Sequence, residues 1–352
     1  MNFPLKQIFF ILLVLFLYHQ ILRFKFTKSQ PYYFSTNEIE KFISFDQSND
    51  LLVFIHIQKT SGKYFDYKVM KYLMIFDLKI KKWNYACRKK ENRETNMSQD
   101  KNPIDNFYCP RKDNTVYKTK FEDNWFFSRL TYGWQCGVHP DYTRLNSCLN
   151  SYRNKNKFRG NIYYITMLRN PINRYLSEWY QVTWDDNPWH TSINVCNKET
   201  LFVCLPNKRT KQITLEDFMS CESGIANNRQ TRLLANYNEK NHNCSLFQQE
   251  NKRQLLENAK NVLKTLSYFA LTEYEKESEE LFEYTFGNKF KFALKSNSSL
   301  IETNEFKILK SLNKTTIERI KQLNDLDLEL YNFSKDLFFK RLKHYRLNQP
   351  IK

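Results

Sequence analysis

The sequence predicts an α/β fold, a parallel central sheet with flanking helices in a single domain, and three observations predict it. Leu51-Leu52-Val53-Phe54-Ile55 is a short continuous apolar run, the pattern of a strand buried on both faces, and it ends in a polar loop that carries Gly62. Ile162 to Leu168 is a second strand-like run, and Pro171 stands where a first helical residue belongs, ahead of Ile172 to Tyr180. Ser267 to Leu271 is a third apolar run, followed by the charged helical stretch Glu273 to Phe286. Strands that alternate with helices pair in parallel, because parallel neighbours need a crossover connection.

The remaining elements follow in chain order. Residues 1–6 read as a short tail and 7–26 as a targeting segment: Ile8 to Leu22 is apolar except for Tyr18, His19 and Gln20. No small-residue cleavage site follows, which favours a retained signal anchor, although the run is shorter than the ~20 residues of a comfortable span. Short spans suit the thinner early-secretory membranes. Arg23, Lys25 and Lys28 outnumber Lys6, a bias that alone would keep the following chain in the cytosol. Five N-x-S/T sequons, starting at Asn96, Asn243, Asn297, Asn313 and Asn332, and eight cysteines beyond the anchor outweigh that bias. The expectation is a single-pass type II protein with its domain in the lumen.

Residues 27–50 are polar and aromatic without periodicity and read as a stem, 51–346 as the domain and 347–352 as a tail. Cys87 to Lys120 is a polar insertion whose structure the pattern does not specify. Thr315 to Tyr345 places Ile317, Ile320, Leu323, Leu330, Leu337 and Phe338 at helical spacing, the pattern of one amphipathic helix packed on the domain. The cysteines, Cys87, Cys109, Cys136, Cys148, Cys196, Cys204, Cys221 and Cys244, are even in number and lack any C-x-x-C pair. They read as a disulfide framework of unspecified connectivity, and no metal site is expected.

Composition limits the function classes. With 352 residues there is room for one large domain and not comfortably for two. A content of 41% hydrophobic and 16% aromatic residues with only six glycines excludes a disordered or collagenous chain. The formal charge of +18 attracts polyanions, whether nucleic acid, anionic lipid or sulfated glycan, and does not choose among them. A solvated Lys-rich surface accounts for part of it. A lumenal domain meets no nucleic acid.

Two segments carry chemistry. A strand running into Lys59-Thr60-Ser61-Gly62-Lys63 offers a tight turn, amides at a helix N-terminus and cationic side chains, as a phosphate or sulfate requires. It is not a nucleotide-triphosphatase loop, which would need an earlier glycine and a hydroxyl residue in place of Tyr64. In isolation it also fits a plain strand-to-helix turn. Leu168-Arg169-Asn170-Pro171 puts a guanidinium at the carboxyl end of a strand, with Ser177 two turns into the helix, a pairing suited to a phosphate monoester. Alone, Arg169 could equally pair with a neighbouring acid.

Together these segments resemble the two cofactor motifs of heparan sulfate 6-O-sulfotransferases: His56 to Phe65, and Tyr164 to Pro171 with Arg174-Tyr175-Leu176-Ser177-Glu178-Trp179. Phe127-Ser128-Arg129 with Gly133-Trp134, Cys136-Gly137 and His139 resembles the same family. So do Ala226-Asn227-Asn228-Arg229-Gln230 with Arg232, and Leu323-Asn324-Asp325-Leu326-Asp327 with Lys335-Asp336-Leu337-Phe338. The five blocks keep the family's order over about residues 50–345. The resemblance implies a sulfotransferase-like (nucleotide-kinase-like) fold and transfer of a sulfuryl group from 3′-phosphoadenylyl sulfate (PAPS) to the 6-hydroxyl of glucosamine in heparan sulfate, in the Golgi and without metal. It implies His139 as general base and Lys59 as electrostatic catalyst. His56, Ile57, Gln58, Lys59, Thr60, Ser61, Gly62, Lys63 and Tyr64 would hold the 5′-phosphosulfate, Arg169 and Ser177 the 3′-phosphate, and Lys295 and Ser296 the adenosine region. Arg129, Trp134, His139, Gln181 and Trp189 would meet the glycan, with Lys89 and Lys90 candidates for the family's paired substrate lysines.

The chain also departs from the pattern. The family's K-T-G-G-T-T-F is here Lys59-Thr60-Ser61-Gly62-Lys63-Tyr64-Phe65, so that a glycine and two hydroxyls are lost and a charge gained at Lys63. Ser61 is harmful only where its backbone needs positive φ, and Tyr64 brings a ring toward the sulfate. Asn170 replaces an acid, Gln181 a substrate-contacting histidine, and Leu300 an arginine near the adenosine. Two other readings stay open: a sulfotransferase for another glycan acceptor position, and a catalytically weak glycan-binding homologue.

Overall fold

The computed structural model of the chain describes residues 32–46, 50–62, 65, 126–128, 136, 139–156, 159–184, 213–220, 224–236, 252–287 and 304–348, with the backbone of 88–89 and 107–108. Residues from Thr36 onward form one compact unit and residues 1–35 another. The signal anchor expected over residues 7–26 lies outside the described residues, among which no helix is long and apolar enough to cross a membrane.

The central sheet is parallel throughout. Strand β1 (Leu51–Ile55) sits between β4 (Phe126–Phe127) and β5 (Ile162–Leu168), and β6 (Tyr268–Leu271) lies beyond β5. Val53 pairs with Phe127 on one side and Tyr164 on the other, and Ile165 to Leu168 pair with Tyr268 to Leu271. All five β1 residues are buried, which explains the unbroken apolar run: helices cover both faces of the sheet, and each buried aliphatic side chain contributes about 1.5–3 kcal/mol. The chain leaves β1 for one neighbour, β4, and returns across it to the other, β5. Such a reversal opens a crevice at the carboxyl ends of the strands. In the cysteine-bearing insertion, β2 (Arg88–Lys89) and β3 (Phe107–Tyr108) form a separate antiparallel pair.

The helices, in order, are α1 (Thr36–Ile39), α2 (Tyr142–Asn156), α3 (Pro171–Trp184), α4 (Leu215–Ser220), α5 (Arg229–Leu234), α6 (Lys252–Thr265), α7 (Glu275–Phe286), α8 (Asn304–Ser311), α9 (Lys314–Leu323) and α10 (Asp325–Leu347). Ahead of β1, the Ile43 amide donates to the Thr285 carbonyl at 2.8 Å, and Phe45 is buried against Tyr163 and Phe286. The single helix expected over 315–345 is two, α9 and α10, parted at Asn324. Asn324 donates its side-chain amide to the Ile320 carbonyl, and the Asn228 side-chain oxygen accepts from the Leu326 and Asp327 amides at 3.0 and 3.1 Å. A residue remote in sequence thus caps the new helix, and the hydrophobic period runs through the break without registering it.

A buried charge network joins α3, α5 and α10. Arg174, Glu178, Arg229 and Asp327 are all buried. Glu178 accepts from the Arg174 Nη1 at 2.5 Å and from the Arg229 Nε at 3.0 Å, with a second, short bond from the Arg229 Nη2. Asp327 accepts from the Gln230 and Thr231 amides at 3.1 and 2.7 Å, capping α5, and lies 4.0 Å from the Arg174 Nε. Two cations and two anions balance. Burial works against the charges, raising the Glu178 carboxyl and lowering Arg229, but Arg229 and Arg174 together outweigh it on Glu178 and hold that carboxyl at about 2.

Glu178→Gln leaves two buried guanidiniums short of a counter-charge and is expected to cost about 3–5 kcal/mol, read from the urea midpoint. Because the folded carboxyl is depressed, its stabilising contribution is complete above an ordinary Glu pKa of about 4.3. It is lost as pH falls toward about 2. The midpoint of the natural protein should therefore fall more steeply across this window than that of the variant.

Candidate active site

Loops from the carboxyl ends of all four central strands converge. After β1, the Thr60 hydroxyl, fully buried, donates to the Ile57 carbonyl at 2.9 Å. After β5, the Arg169 Nη1 donates to the Lys59 carbonyl at 3.1 Å. After β6, the Thr272 hydroxyl donates to the Thr60 carbonyl at 2.9 Å and shares its bond with the Leu168 carbonyl at 3.0 Å. The Ile57 carbonyl is thereby bound within the loop, and the Lys59 and Thr60 carbonyls are tied to residues after β5 and β6. Positive φ at Lys59 (67°) and Ser61 (64°) turns the backbone twice within three residues, and the Phe65 amide donates to the Ser61 carbonyl, opening a helical turn. A strand, a loop with its carbonyls tied back, and a helix start form a cradle for an anion. The side-chain oxygen of Gln58 is buried there without a hydrogen-bond partner. Phe65 anchors the far end, packed on Phe54 and Phe282 at ring distances of 5.2 and 5.9 Å.

The two positions where the family has consecutive glycines have different jobs. Position 61 needs the positive φ, and serine stands there under about 1–2 kcal/mol of backbone strain. Position 62 needs the missing side chain: a Cβ on Gly62 would lie 2.7 Å from the His56 Cδ2, 2.9 Å from its Nε2 and 3.2 Å from the Phe54 Cζ. The chain keeps the glycine that makes room and has lost the one that eases the turn.

Over Gly62, the buried His56 meets His139 of the β4 loop. Their Nδ1 atoms are 3.0 Å apart, with ring centroids at 4.9 Å and ring planes 27° from parallel. His139 is held from its own side as well. Cys136, three residues before it, is disulfide-bonded to Cys148 on α2, and Asp141, two residues after it, caps α2 by accepting from the Arg144 amide at 2.9 Å. Tyr164 donates its hydroxyl to Asn146, tying α2 to β5.

The β5 loop is fixed by Gln230. Its side-chain amide accepts from the Arg169 backbone N–H and donates to the Arg169 carbonyl, both at 2.9 Å, as a neighbouring strand would. Asn170 accepts from the Ile172 amide at 3.0 Å, capping α3 with the same oxygen an aspartate would use. The Asn170 backbone N–H donates to the Glu273 carboxylate at 2.8 Å. Ser177 is buried in the second turn of α3, and Gln181 is exposed one turn further on. His56, Ile57, Gln58, Lys59, Thr60, Ser61, Gly62, His139 and Arg169 therefore share one region. Lys89 lies in β2, while Lys63, Tyr64, Lys90, Arg129, Trp134, Trp189, Lys295, Ser296 and Leu300 lie outside the described residues. Among the described residues no group of three or more His, Cys, Asp or Glu could hold a metal. Sequence reasoning assigned no role to Gln230 or Thr272 and did not pair His56 with His139. Gln230 stood in a family-like block; Thr272 had only its place after a strand.

Fold and site define an α/β protein with an anion-suited cradle at the carboxyl edge of a parallel sheet. Comparison with known proteins agrees, since a family model described as the sulfotransferase family matches residues 44–334. Heparan-sulfate 6-O-sulfotransferase 1-B of Danio rerio is 34% identical over 328 residues, covering 90% of this chain and 72% of the relative. Heparan-sulfate 6-O-sulfotransferase 1 of Homo sapiens is 34% identical with the same coverage, and that of Gallus gallus 35% identical over 87% of this chain and 70% of the relative. The chain belongs to the heparan-sulfate 6-O-sulfotransferase family.

Ser61→Gly should relieve the αL strain, offset in part by the larger backbone entropy of glycine, for a net gain of about 0.5–1 kcal/mol in thermal unfolding. Gly62→Ala should do the reverse, since the added Cβ must push the His56 ring aside, and cost about 1–3 kcal/mol in the same measurement.

Proposed function

We propose that the protein transfers a sulfuryl group from PAPS to the 6-hydroxyl of glucosamine residues in heparan sulfate. The observation that supports this most is the junction of His139 with the anion cradle, in a chain a third identical to named 6-O-sulfotransferases. The backbone of residues 58–64 would hold the 5′-phosphosulfate, and the cradle fits such a group: its carbonyls are tied back, and Gly62 presents no side chain. Arg169 and Ser177 would hold the 3′-phosphate, with Lys295 and Ser296 near the adenosine. When bound, PAPS supplies the sulfuryl group and a phosphate leaving group. His139 takes the proton of the attacking hydroxyl, and Lys59 offsets the negative charge that grows on the leaving oxygen. Arg129, Trp134, Gln181, Trp189, Lys89 and Lys90 are the proposed glycan contacts, cations answering sulfates and carboxylates and rings facing sugar planes.

A Golgi lumenal setting behind an N-terminal anchor is part of the proposal. The Cys136–Cys148 disulfide supports it, because such bonds persist in oxidising compartments. The strained Ser61 favours one second reading, a catalytically weak glycan-binding homologue with the same fold.

Incubation of the protein with PAPS and N-sulfated heparosan, followed by disaccharide analysis, should show new 6-O-sulfate, reduced about 10²–10⁴-fold in His139→Ala. Sulfate at another position would refute the acceptor. No transfer, with no detectable binding of adenosine 3′,5′-bisphosphate by calorimetry, would favour the second reading.

A further inference from the structure

The contact between the two histidines imposes a condition on their protons. Nδ1 of His56 and Nδ1 of His139 are at hydrogen-bonding distance, 3.0 Å. One must carry a proton and the other a lone pair, so the two rings cannot both be imidazolium while the contact stands. Two arrangements satisfy it. If His56 donates, His139 holds its single proton on Nε2 and has no lone pair left for a substrate. If His139 donates, its Nδ1 is protonated and the lone pair sits on Nε2, where it can accept.

We infer that His56 is the positioning residue for His139: its Nδ1 accepts the His139 Nδ1–H and holds the base in the tautomer whose Nε2 takes a proton. The inference rests on the reading of His139 as the general base. His56 is suited to the task because it is itself immobilised. It continues directly from the central strand, is 6% exposed, and packs edge-on against Phe54 at 5.8 Å. Gly62 leaves it no spare room. In the transfer step the acceptor O–H bond breaks and its proton moves to the His139 Nε2. The oxygen's electron pair forms the O–S bond as the S–O bond to phosphate breaks, its pair staying on the phosphate. His139 then holds two N–H groups and keeps the bond to the His56 Nδ1. A neutral imidazole does here what a carboxylate or carbonyl commonly does for a functional histidine.

The test uses two variants of His56. His56→Phe keeps a ring over Gly62 but has no acceptor, and should lower kcat on the order of 10–100-fold. The KM for PAPS and the affinity for adenosine 3′,5′-bisphosphate should stay within about twofold. His56→Asn places an amide oxygen where Nδ1 stood and should recover most of the rate. In a His139→Ala background His56→Phe should have no further effect, because it acts through His139. Nitrogen-15 NMR of the unliganded protein gives a readout independent of transfer: His139 should be the Nδ1–H tautomer in the natural protein and lose that preference in His56→Phe. Several results would overturn the inference: a His139 Nε2–H tautomer in the natural protein, an unchanged kcat in His56→Phe beside an inactive His139→Ala, or a loss matched by weaker nucleotide binding. Full transfer by His139→Ala would instead remove the base reading, and this inference with it.

Discussion

Glu178, held between Arg174 and Arg229, is the interaction from which the geometry of the site descends. Its two arginines come from α3 and α5, and Asp327 of α10 completes the charge balance while capping α5. A buried ionic cluster adds less stability than an equal volume of packed hydrocarbon, but it accepts only one register, because any slip leaves a charge without its counterpart. The residue after Arg229 is Gln230, which clasps both backbone groups of Arg169, and the Arg169 side chain then binds the Lys59 carbonyl. Displacement of α5 would thus be felt at the β5 loop first and at the anion cradle next.

The cradle is held by bonds to its carbonyls. Arg169 and Thr272 arrive from the ends of β5 and β6, so the loop is shaped by the sheet that presents it. His139 enters from the opposite side of β1 with separate restraints: the disulfide to α2, the Asp141 cap and the contact with His56. Two independently anchored loops thus meet at a pair of rings beside the anion cradle.

Several departures from the family pattern become intelligible at this level. Asn170 is conservative, since its oxygen caps α3 as a carboxylate would. The loss of glycine at Ser61 is not, since that residue carries a positive φ, whereas Gly62 does not and is needed for clearance. Gln181 is exposed on α3, where exchanging one polar side chain for another costs the fold little.

Strand β1, strand β5, the Pro171 helix start and the anion loop were legible in the sequence because each is a local pattern: an unbroken apolar run, a fixed-φ residue at a helix start, a glycine after a strand. The blocks around Arg229 and Asp327 were legible only as resemblance, and their work is structural, which no spacing of residues 50 to 150 positions apart could reveal. The break at Asn324 was hidden for the same reason, because its cap comes from Asn228. By itself the sequence determined the elements, the order of the strands along the chain and the residue types available to bind an anion. Tertiary structure alone decided that His56 meets His139, that Gln230 governs Arg169, and that strain falls at Ser61 and clearance at Gly62. Those outcomes depend on which loops the parallel sheet gathers at one edge, a property of packing between distant segments and not of any one of them.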